Sequence, residues 1–203
     1  MQRKWVVGCA LWLVTAGLAA ANLLTNPGFE TGDLTGWEQS GWYTGTGADA
    51  NSGTYGGAYA VPSGSPAGDY YVMLQYVPVT AGETYEASMW NRTVIFNTSE
   101  SFLEVVFHDS SGGWIGQTGT TPISTTTAYT EYSLDALVAP AGAVTASIRA
   151  VVHTTGSAAT TDNAWHTFDD FNFDVIPEPG TLALGLIGTG IGFVMKHRRR
   201  KNG

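Results

Sequence analysis

Short runs in which polar and apolar residues alternate fill the chain from Asn22 to Ile176. Period-two alternation puts every second side chain on one side of an extended chain, whereas a helix needs apolar residues every three or four positions. No long stretch of this range keeps the helical spacing. The alternation predicts strands over residues 70–79, 84–94, 101–108, 130–137, 143–153 and 167–175.

Segments rich in glycine, proline, aspartate and serine separate the predicted strands, notably at residues 80–83, 109–113 and 139–142. These residue types favour turns. Many short strands joined by such turns are typical of an all-β sandwich. Residues 22–176 are therefore expected to form one all-β domain.

The charge of this body limits its partners. Between Lys4 and Lys196 only Arg92 and Arg149 are basic, against 17 acidic residues, which gives a formal charge of −15. Such a surface repels nucleic acid and anionic lipid headgroups. We expect no nucleic-acid partner, and a solvated exterior, a cation or a neutral ligand suits the composition.

Residues 1–21 have the pattern of a secretory signal peptide. Arg3 and Lys4 precede the apolar run 5–18, and three alanines at 19–21 supply a small-residue cleavage site. The only cysteine, Cys9, lies within this segment. We expect an N-terminal signal helix, export, and a mature chain without disulfides or cysteine-ligated metal.

The other terminus, residues 177–203, reads as a membrane-anchored tail. Pro177, Glu178 and Pro179 lead into an uncharged apolar run at 181–195 and a basic end at 196–201. As a helix the run would span about 22 Å, and snorkelling basic side chains can extend it toward the ~30 Å of a hydrocarbon core. The basic end should stay cytoplasmic, which places the body outside.

This tail resembles the PEP-CTERM sorting signal of Gram-negative bacteria, with Ile176 where valine is usual. The resemblance implies an exosortase as partner and removal or exchange of the tail near Pro177, Glu178 and Pro179. The expected location is the outer surface or the extracellular matrix, after initial anchoring in the inner membrane.

The body also resembles a family. Its opening Asn26-Pro-Gly-Phe-Glu30, the following Gly36-Trp37 and the closing Phe168-Asp-Asp-Phe171 are similar to carbohydrate-binding-module jelly rolls and related galactose-binding-like domains. Further matches are 52–55, 81–85 and Trp165. The resemblance implies a jelly-roll β-sandwich and, less directly, a sugar ligand, because this fold hosts many functions.

The same resemblance implies a structural Ca²⁺ held by Glu30 and by Asp169 or Asp170, together with backbone carbonyls. Oxygen donors of this kind suit a hard cation. Alternation groups Asp169 with Phe171 and Phe173 and predicts that its carboxylate points inward, where it needs a partner. The alternative is a solvated acidic strand end.

One polar face is predicted for three strands, opposite an apolar face that includes Met89, Leu103 and Ile148. Its members share odd–even parity on their strands and include both arginines of the body. The predicted ligand-binding face comprises Glu86, Ser88, Trp90, Arg92, Glu104, His108, Arg149 and His153. Trp90 is the chosen stacking platform, although such a face can equally be the solvated side of a sheet.

Other aromatic residues are placed by their surroundings. Trp42, Tyr43, Tyr55 and Trp114 fall in predicted loops, where they can line a groove, and Trp37 is expected to anchor the core. Glu86 and Glu104 are the pair of carboxylates a glycosidase would need, but no motif sets them around a cleft.

We therefore expect an exported, exosortase-sorted protein, not an enzyme, whose body binds extracellular polysaccharide. The alternative is a structural or adhesive protein of the biofilm matrix without a discrete ligand.

Overall fold

The computed structural model describes residues 22–95, 98–122, 126–156 and 164–177. These residues form nine strands and one short 3-10 turn. The strands are β1 (Tyr43–Thr46), β2 (Tyr55–Val61), β3 (Tyr70–Pro78), β4 (Thr84–Ile95), β5 (Ser99–His108), β6 (Trp114–Gly119), β7 (Thr126–Val138), β8 (Thr145–Thr154) and β9 (Ala164–Val175).

Two antiparallel sheets pack face to face. The first has five strands in the order β1-β2-β9-β4-β7, and the second has four in the order β3-β8-β5-β6. The predicted all-β sandwich is confirmed, and the arrangement is consistent with a jelly roll. Each of the six predicted strands corresponds to an observed one, with ends displaced by a few residues.

The core between the sheets follows the predicted alternation. Met89 of β4, Leu103 of β5 and Ile148 of β8 are fully buried, together with Phe168, Phe171 and Phe173 of β9. Trp37 is also buried and packs its ring 4.8 Å from that of Phe171, which confirms it as a core anchor. Burial of aromatic rings of this size supplies much of the stability of such a core.

Strands β1, β2 and β6 were not predicted, because glycine interrupts their alternation. In β2, Gly57 leaves space for a neighbouring side chain of the core. A Cβ atom on Gly57 would lie 2.9 Å from the ring of Phe29, so only glycine allows that ring to reach the sheet. A sequence pattern based on side-chain polarity cannot detect a strand of this kind.

The predicted turns at 80–83 and 139–142 are present. Glu83 donates its amide hydrogen to the carbonyl oxygen of Thr80, and Ala143 does the same to Pro140. Gly82 and Gly142 have φ angles of +86° and +88°, which other residues adopt only with strain. These turns set the starts of β4 and β8.

A β-bulge in β9 changes the faces of its residues. Asp169 pairs with Trp90 and Asn172 pairs with Ser88, so β9 has one more residue than β4 across this interval. Asp170, within the bulge, has a φ of +46°. The prediction that Asp169 shares the inward face of Phe171 and Phe173 is therefore wrong, because the extra residue reverses the alternation.

The predicted signal segment, the apolar run 181–195 and the basic end lie outside the described residues, as do Glu178 and Pro179. In the part of the chain that is described, no helix has the length and apolar character needed to cross a bilayer.

Candidate ligand-binding groove

An open groove of about 530 Å³ crosses the outer face of the four-stranded sheet. Its floor comes from β5 and β8, whose alternate side chains point away from the core. Its lining includes Tyr70, Val72, Phe102, Glu104, Trp114, Gln117, Arg149 and Val151.

Two exposed aromatic rings border the groove. Trp114 of β6 and Tyr70 of β3 are 58% and 61% exposed. They lie on the two edge strands of the sheet, with β8 and β5 between them. Large rings left in water at both sides of a groove are typical of a binding surface, because packing would otherwise cover them.

The Tyr70 ring is held by a stack beneath it. It lies 4.2 Å from the imidazole of His153, at an interplanar angle of 18°. His153 in turn makes a 2.8 Å contact through Nδ1 with Oε1 of Glu100. The predicted site residue His153 therefore supports an exposed ring.

Charged groups on the groove floor neutralise one another. Nη1 of Arg149 donates a 2.7 Å hydrogen bond to Oε2 of Glu104, and the amide of Gln117 donates to Oε1 of the same carboxylate. The guanidinium also lies 4.9 Å from the centre of the Trp114 ring. Arg149 Nε is buried without a hydrogen-bond partner among the described residues, so the guanidinium meets the groove through its other nitrogens.

His108 lies at one end of this sheet and is buried. Its Nε2 is 3.0 Å from Oγ of Ser147, and its ring meets that of Trp114 edge-on at 6.2 Å. It therefore contacts a wall of the groove without lining it. Four of the predicted residues, Glu104, His108, Arg149 and His153, thus lie on the same sheet, and of these Glu104 and Arg149 are in direct contact.

The other four predicted residues, Glu86, Ser88, Trp90 and Arg92, lie on β4 in the opposite sheet. The single ligand face predicted from parity is therefore wrong. Alternation identifies which side chains point outward from a strand, but it does not tell which sheet the strand joins. Arg92 instead pairs with Asp49 at 3.4 Å and lies 5.5 Å from the Tyr129 ring.

The loop aromatics divide between core and groove. Trp42 is buried against Tyr59, and Tyr43 contacts Trp165 edge-on. Tyr55 is half-buried against the core. Trp114 alone of the four predicted loop aromatics lines this groove. Glycines next to Trp114 interrupt the alternation of β6. The sequence therefore identified Trp114 as a candidate but could not place it on an edge strand.

The three residues predicted to hold a cation converge on the loop 51–55. The Glu30 carboxylate accepts hydrogen bonds from the amides of Thr54 and Tyr55 at 2.9 Å. Asp169 Oδ2 accepts from the amides of Asn51 and Ser52 at 2.7 and 3.1 Å.

Asp170 completes this group through side-chain contacts. Its carboxylate accepts hydrogen bonds from the side chains of Asn51 and Ser52. A Cβ atom added to Gly28 would lie within 4.0 Å of side-chain atoms of all three acidic residues, so they surround one point of the backbone.

Burial raises the pKa of Asp169 to about 6, and the nearby charge of Asp170 adds to this rise. The backbone hydrogen bonds to the Asp169 carboxylate act in the opposite direction and lower its pKa. A buried carboxylate of this kind, near two others, offers the oxygen donors that Ca²⁺ prefers. In the described residues, no three acidic, histidine or cysteine side chains are already grouped to hold a metal. Backbone oxygens would have to complete the coordination.

No family model matches this chain, and no curated protein matches it either. Solved structures do match. The chain is similar to the enzymatically active domain of tailspike protein 4 of bacteriophage CBA120, with 17% identity and a TM-score of 0.60. That match covers 76% of this chain and 21% of the other, so the chain spans about a fifth of that tailspike domain.

Two matches extend over whole modules. A family 61 carbohydrate-binding module, solved with β-1,4-galactotriose, is 21% identical with a TM-score of 0.57, over 77% of this chain and 100% of that one. The CBM22-1 xylan-binding domain of Paenibacillus barcinonensis Xyn10C is 18% identical with a TM-score of 0.52, over 79% and 98%. The structure therefore has the β-sandwich fold of carbohydrate-binding modules.

Proposed function

We propose that the body binds a glycan, without catalysis, in the groove on the four-stranded sheet. The observation that carries the proposal is the placement of exposed Trp114 and Tyr70 on either side of a polar floor. Aromatic faces pack on the C–H surface of a sugar ring, while polar groups between them reach its hydroxyls. Arg149, Glu104 and Gln117 provide those polar groups.

The charge of the floor favours a neutral glycan. Glu104 and Arg149 form an ion pair, and among the described residues no other charged side chain lines the groove. A uronic acid would have to approach this groove against the acidic charge of the body. The structural neighbours support a neutral ligand, since one was solved with β-1,4-galactotriose and another is a xylan-binding domain.

Glycoside hydrolysis finds no support in the arrangement of carboxylates. Glu86 and Glu104, the pair considered from the sequence, belong to different sheets and point away from each other. Both oxygens of Glu104 are already bonded to Arg149 and Gln117. A hydrolase of this class needs two carboxyl groups on either side of one bond.

The proposed setting is outside the cell. Residues 1–21 direct export, and Pro177, Glu178 and Pro179 followed by the apolar run present the tail to an exosortase at the membrane. The body is thereby delivered to the envelope surface or matrix, where polysaccharide is available. We further propose that Ca²⁺, held by Glu30 with Asp169 or Asp170, stabilises the loop 51–55 that these residues bind.

Titration calorimetry with galactan and xylan oligosaccharides tests the binding proposal. Trp114→Ala and Tyr70→Ala are each expected to weaken binding about tenfold, which corresponds to losing about 1.4 kcal/mol of stacking. Trp90→Ala is the matched control, because this half-buried tryptophan lies in the opposite sheet.

Each result has a distinct meaning. If Trp90→Ala weakens binding while Trp114→Ala and Tyr70→Ala do not, the binding site lies on the face of β4 instead. No binding of any neutral polysaccharide by the unaltered chain would favour the alternative, a structural or adhesive matrix protein without a discrete ligand.

A further inference from the structure

Three apolar side chains cross the floor of the groove on the four-stranded sheet. Val72 of β3 pairs directly with Val151 of β8, and Val151 pairs on its other side with Phe102 of β5. Residues directly opposite each other in antiparallel strands share a face, and all three line the groove. These three residues form an apolar strip that runs across three adjacent strands.

The apolar strip lies on the outer side of the sheet, which is normally the polar side in a sandwich. The core side of the same strands is occupied by the neighbours of the strip in sequence, which include the fully buried Met73 and Leu103. Val72 and Phe102 are half-buried, and Val151 between them is 2% exposed. A ligand in the groove would therefore meet chiefly Val72 and Phe102, with Val151 beneath it.

An unsubstituted sugar suits the apolar strip poorly. In the proposed binding mode the C–H faces of sugar rings pack on Trp114 and Tyr70, so groups at the ring edges meet the floor between them. Valine and phenylalanine side chains have no hydrogen-bonding group. A hydroxyl pressed against them loses water and gains no partner, which costs free energy. A methyl group in the same place is stabilised, because its apolar surface leaves water.

The polar group beside the apolar strip indicates which substituent fits. Arg149 is two residues before Val151 on β8, so both side chains point to the same face. A guanidinium donates hydrogen bonds and accepts none. Both oxygens of its partner Glu104 already accept hydrogen bonds, from Arg149 and Gln117. An acetyl group matches these neighbours, because it combines a methyl with a carbonyl oxygen that only accepts.

We infer that this groove prefers a neutral glycan that carries acetyl groups over the same glycan without them. The methyl of one acetyl group packs on Val72 and Phe102, and its carbonyl oxygen accepts a hydrogen bond from the guanidinium of Arg149. An acetyl ester of a sugar hydroxyl and the acetamide of an amino sugar both supply these two groups. This preference depends on the glycan binding proposed for the groove and specifies its class of ligand.

Calorimetry on the full chain with two matched pairs of oligosaccharides tests the preference. The first pair is an acetylated xylose hexamer and the same preparation after alkaline deacetylation. The second is an N-acetylglucosamine hexamer and a glucose hexamer with the same β-1,4 linkage. In at least one pair the acetylated member is expected to bind about fourfold more tightly, the effect of burying one methyl-sized group. The pair that shows the preference identifies the linkage, ester or acetamide.

Two substitutions in the apolar strip locate the preference. Val72→Thr keeps the shape of the side chain and adds a hydroxyl, and Phe102→Ala removes apolar contact. Val72→Thr alone should reduce the ratio of the two affinities about twofold, and the double variant should abolish the preference. Val138→Thr is the matched control and should leave the ratio unchanged, because Val138 is 59% exposed on β7 of the opposite sheet. Melting temperatures check that each variant folds, and Val72→Thr decides the test if the double variant does not.

The failure of this inference can be told apart from the failure of the proposed function. Equal affinities within both pairs would overturn the acetyl preference and leave glycan binding by the groove intact. No binding of any of the four oligosaccharides would contradict the proposed function and the acetyl preference together. A preference that the folded variants of the apolar strip retain, or that Val138→Thr reduces equally, would overturn the assignment of the acetyl group to Val72 and Phe102.

Discussion

The guanidinium of Arg149 lies 4.9 Å from the centre of the Trp114 ring while it donates a 2.7 Å hydrogen bond to Glu104. One planar cation therefore holds an exposed indole and a carboxylate of which only 10% of the side chain is exposed. Arginine suits this position because its flat, delocalised group can stack and hydrogen-bond at the same time.

Arg149→Met is expected to destabilise the fold by about 2–3 kcal/mol, because it leaves the Glu104 carboxylate buried without its cation. Combining it with Glu104→Gln should recover at least half of this loss, since the neutral amide needs no counter-charge. Urea unfolding of both single variants and the double variant measures the coupling.

Arg92→Met, the same substitution at the other arginine of the body, is the control for this double-mutant cycle of Arg149 and Glu104. Arg92→Met removes a 3.4 Å contact with Asp49 and is expected to cost less than about 1 kcal/mol. Equal losses for Arg92→Met and Arg149→Met would contradict the role assigned to the Arg149–Glu104 pair. The affinity for neutral glycan should fall only with the Arg149 change, because that residue supports Trp114.

Alternation was sufficient to predict the sandwich, its core and the outward direction of Glu104, Arg149 and Trp90. It could not assign strands to sheets, because hydrogen bonding between distant segments decides whether β4 lies next to β5. Sequence alternation therefore favours Trp90 as the platform and places Trp114 in a loop.

Irregular backbone explains the other errors. The bulge at Asp169 and Asp170 depends on a positive φ at an aspartate, which no local polarity pattern reveals. Glycine in β2 and β6 reflects packing and pairing with remote residues, as Gly57 does for Phe29. The convergence of Glu30 with Asp169 was anticipated from the family resemblance, and alternation did not indicate it.

Replacing Pro177, Glu178 and Pro179 with alanine is expected to change sorting and to leave folding intact. The last strand ends at Val175, and Ile176 makes its backbone hydrogen bond to Thr84 before the motif begins. Cell fractionation together with the melting temperature of the purified variant provides the measurement. Normal localisation of the variant would contradict the sorting proposal.

Removal of Ca²⁺ with a chelator is expected to lower the melting temperature of the body. An ion that binds only the folded state stabilises it by about 2.7 kcal/mol at a hundredfold excess over its dissociation constant. Glu30→Gln and Asp169→Asn should each reduce the chelator effect, whereas Glu38→Gln should preserve it. An identical melting curve with and without chelator would count against the cation.

The dependence of stability on pH should contain two opposing contributions. Burial lowers the pKa of His166 from 6.5 to about 3, while its ring contacts the hydroxyls of Thr93 and Ser99. Between these values the unfolded chain binds a proton that the folded state excludes, so His166 makes the protein less stable as pH falls from about 6.5.

Asp169 acts in the opposite direction, because its pKa is raised from 3.8 to about 6. Between those values the folded state binds more protons than the unfolded chain, so this group reduces stability as pH rises. Asp169→Asn removes that contribution and should give a steeper loss of stability on acidification from pH 6.5 to 4. Bound Ca²⁺ should produce the same change in slope, since the ion keeps Asp169 ionised in the folded state. Urea unfolding at several pH values, with and without Ca²⁺, measures both effects. An unchanged slope in Asp169→Asn would show that the buried carboxylate does not titrate in this range.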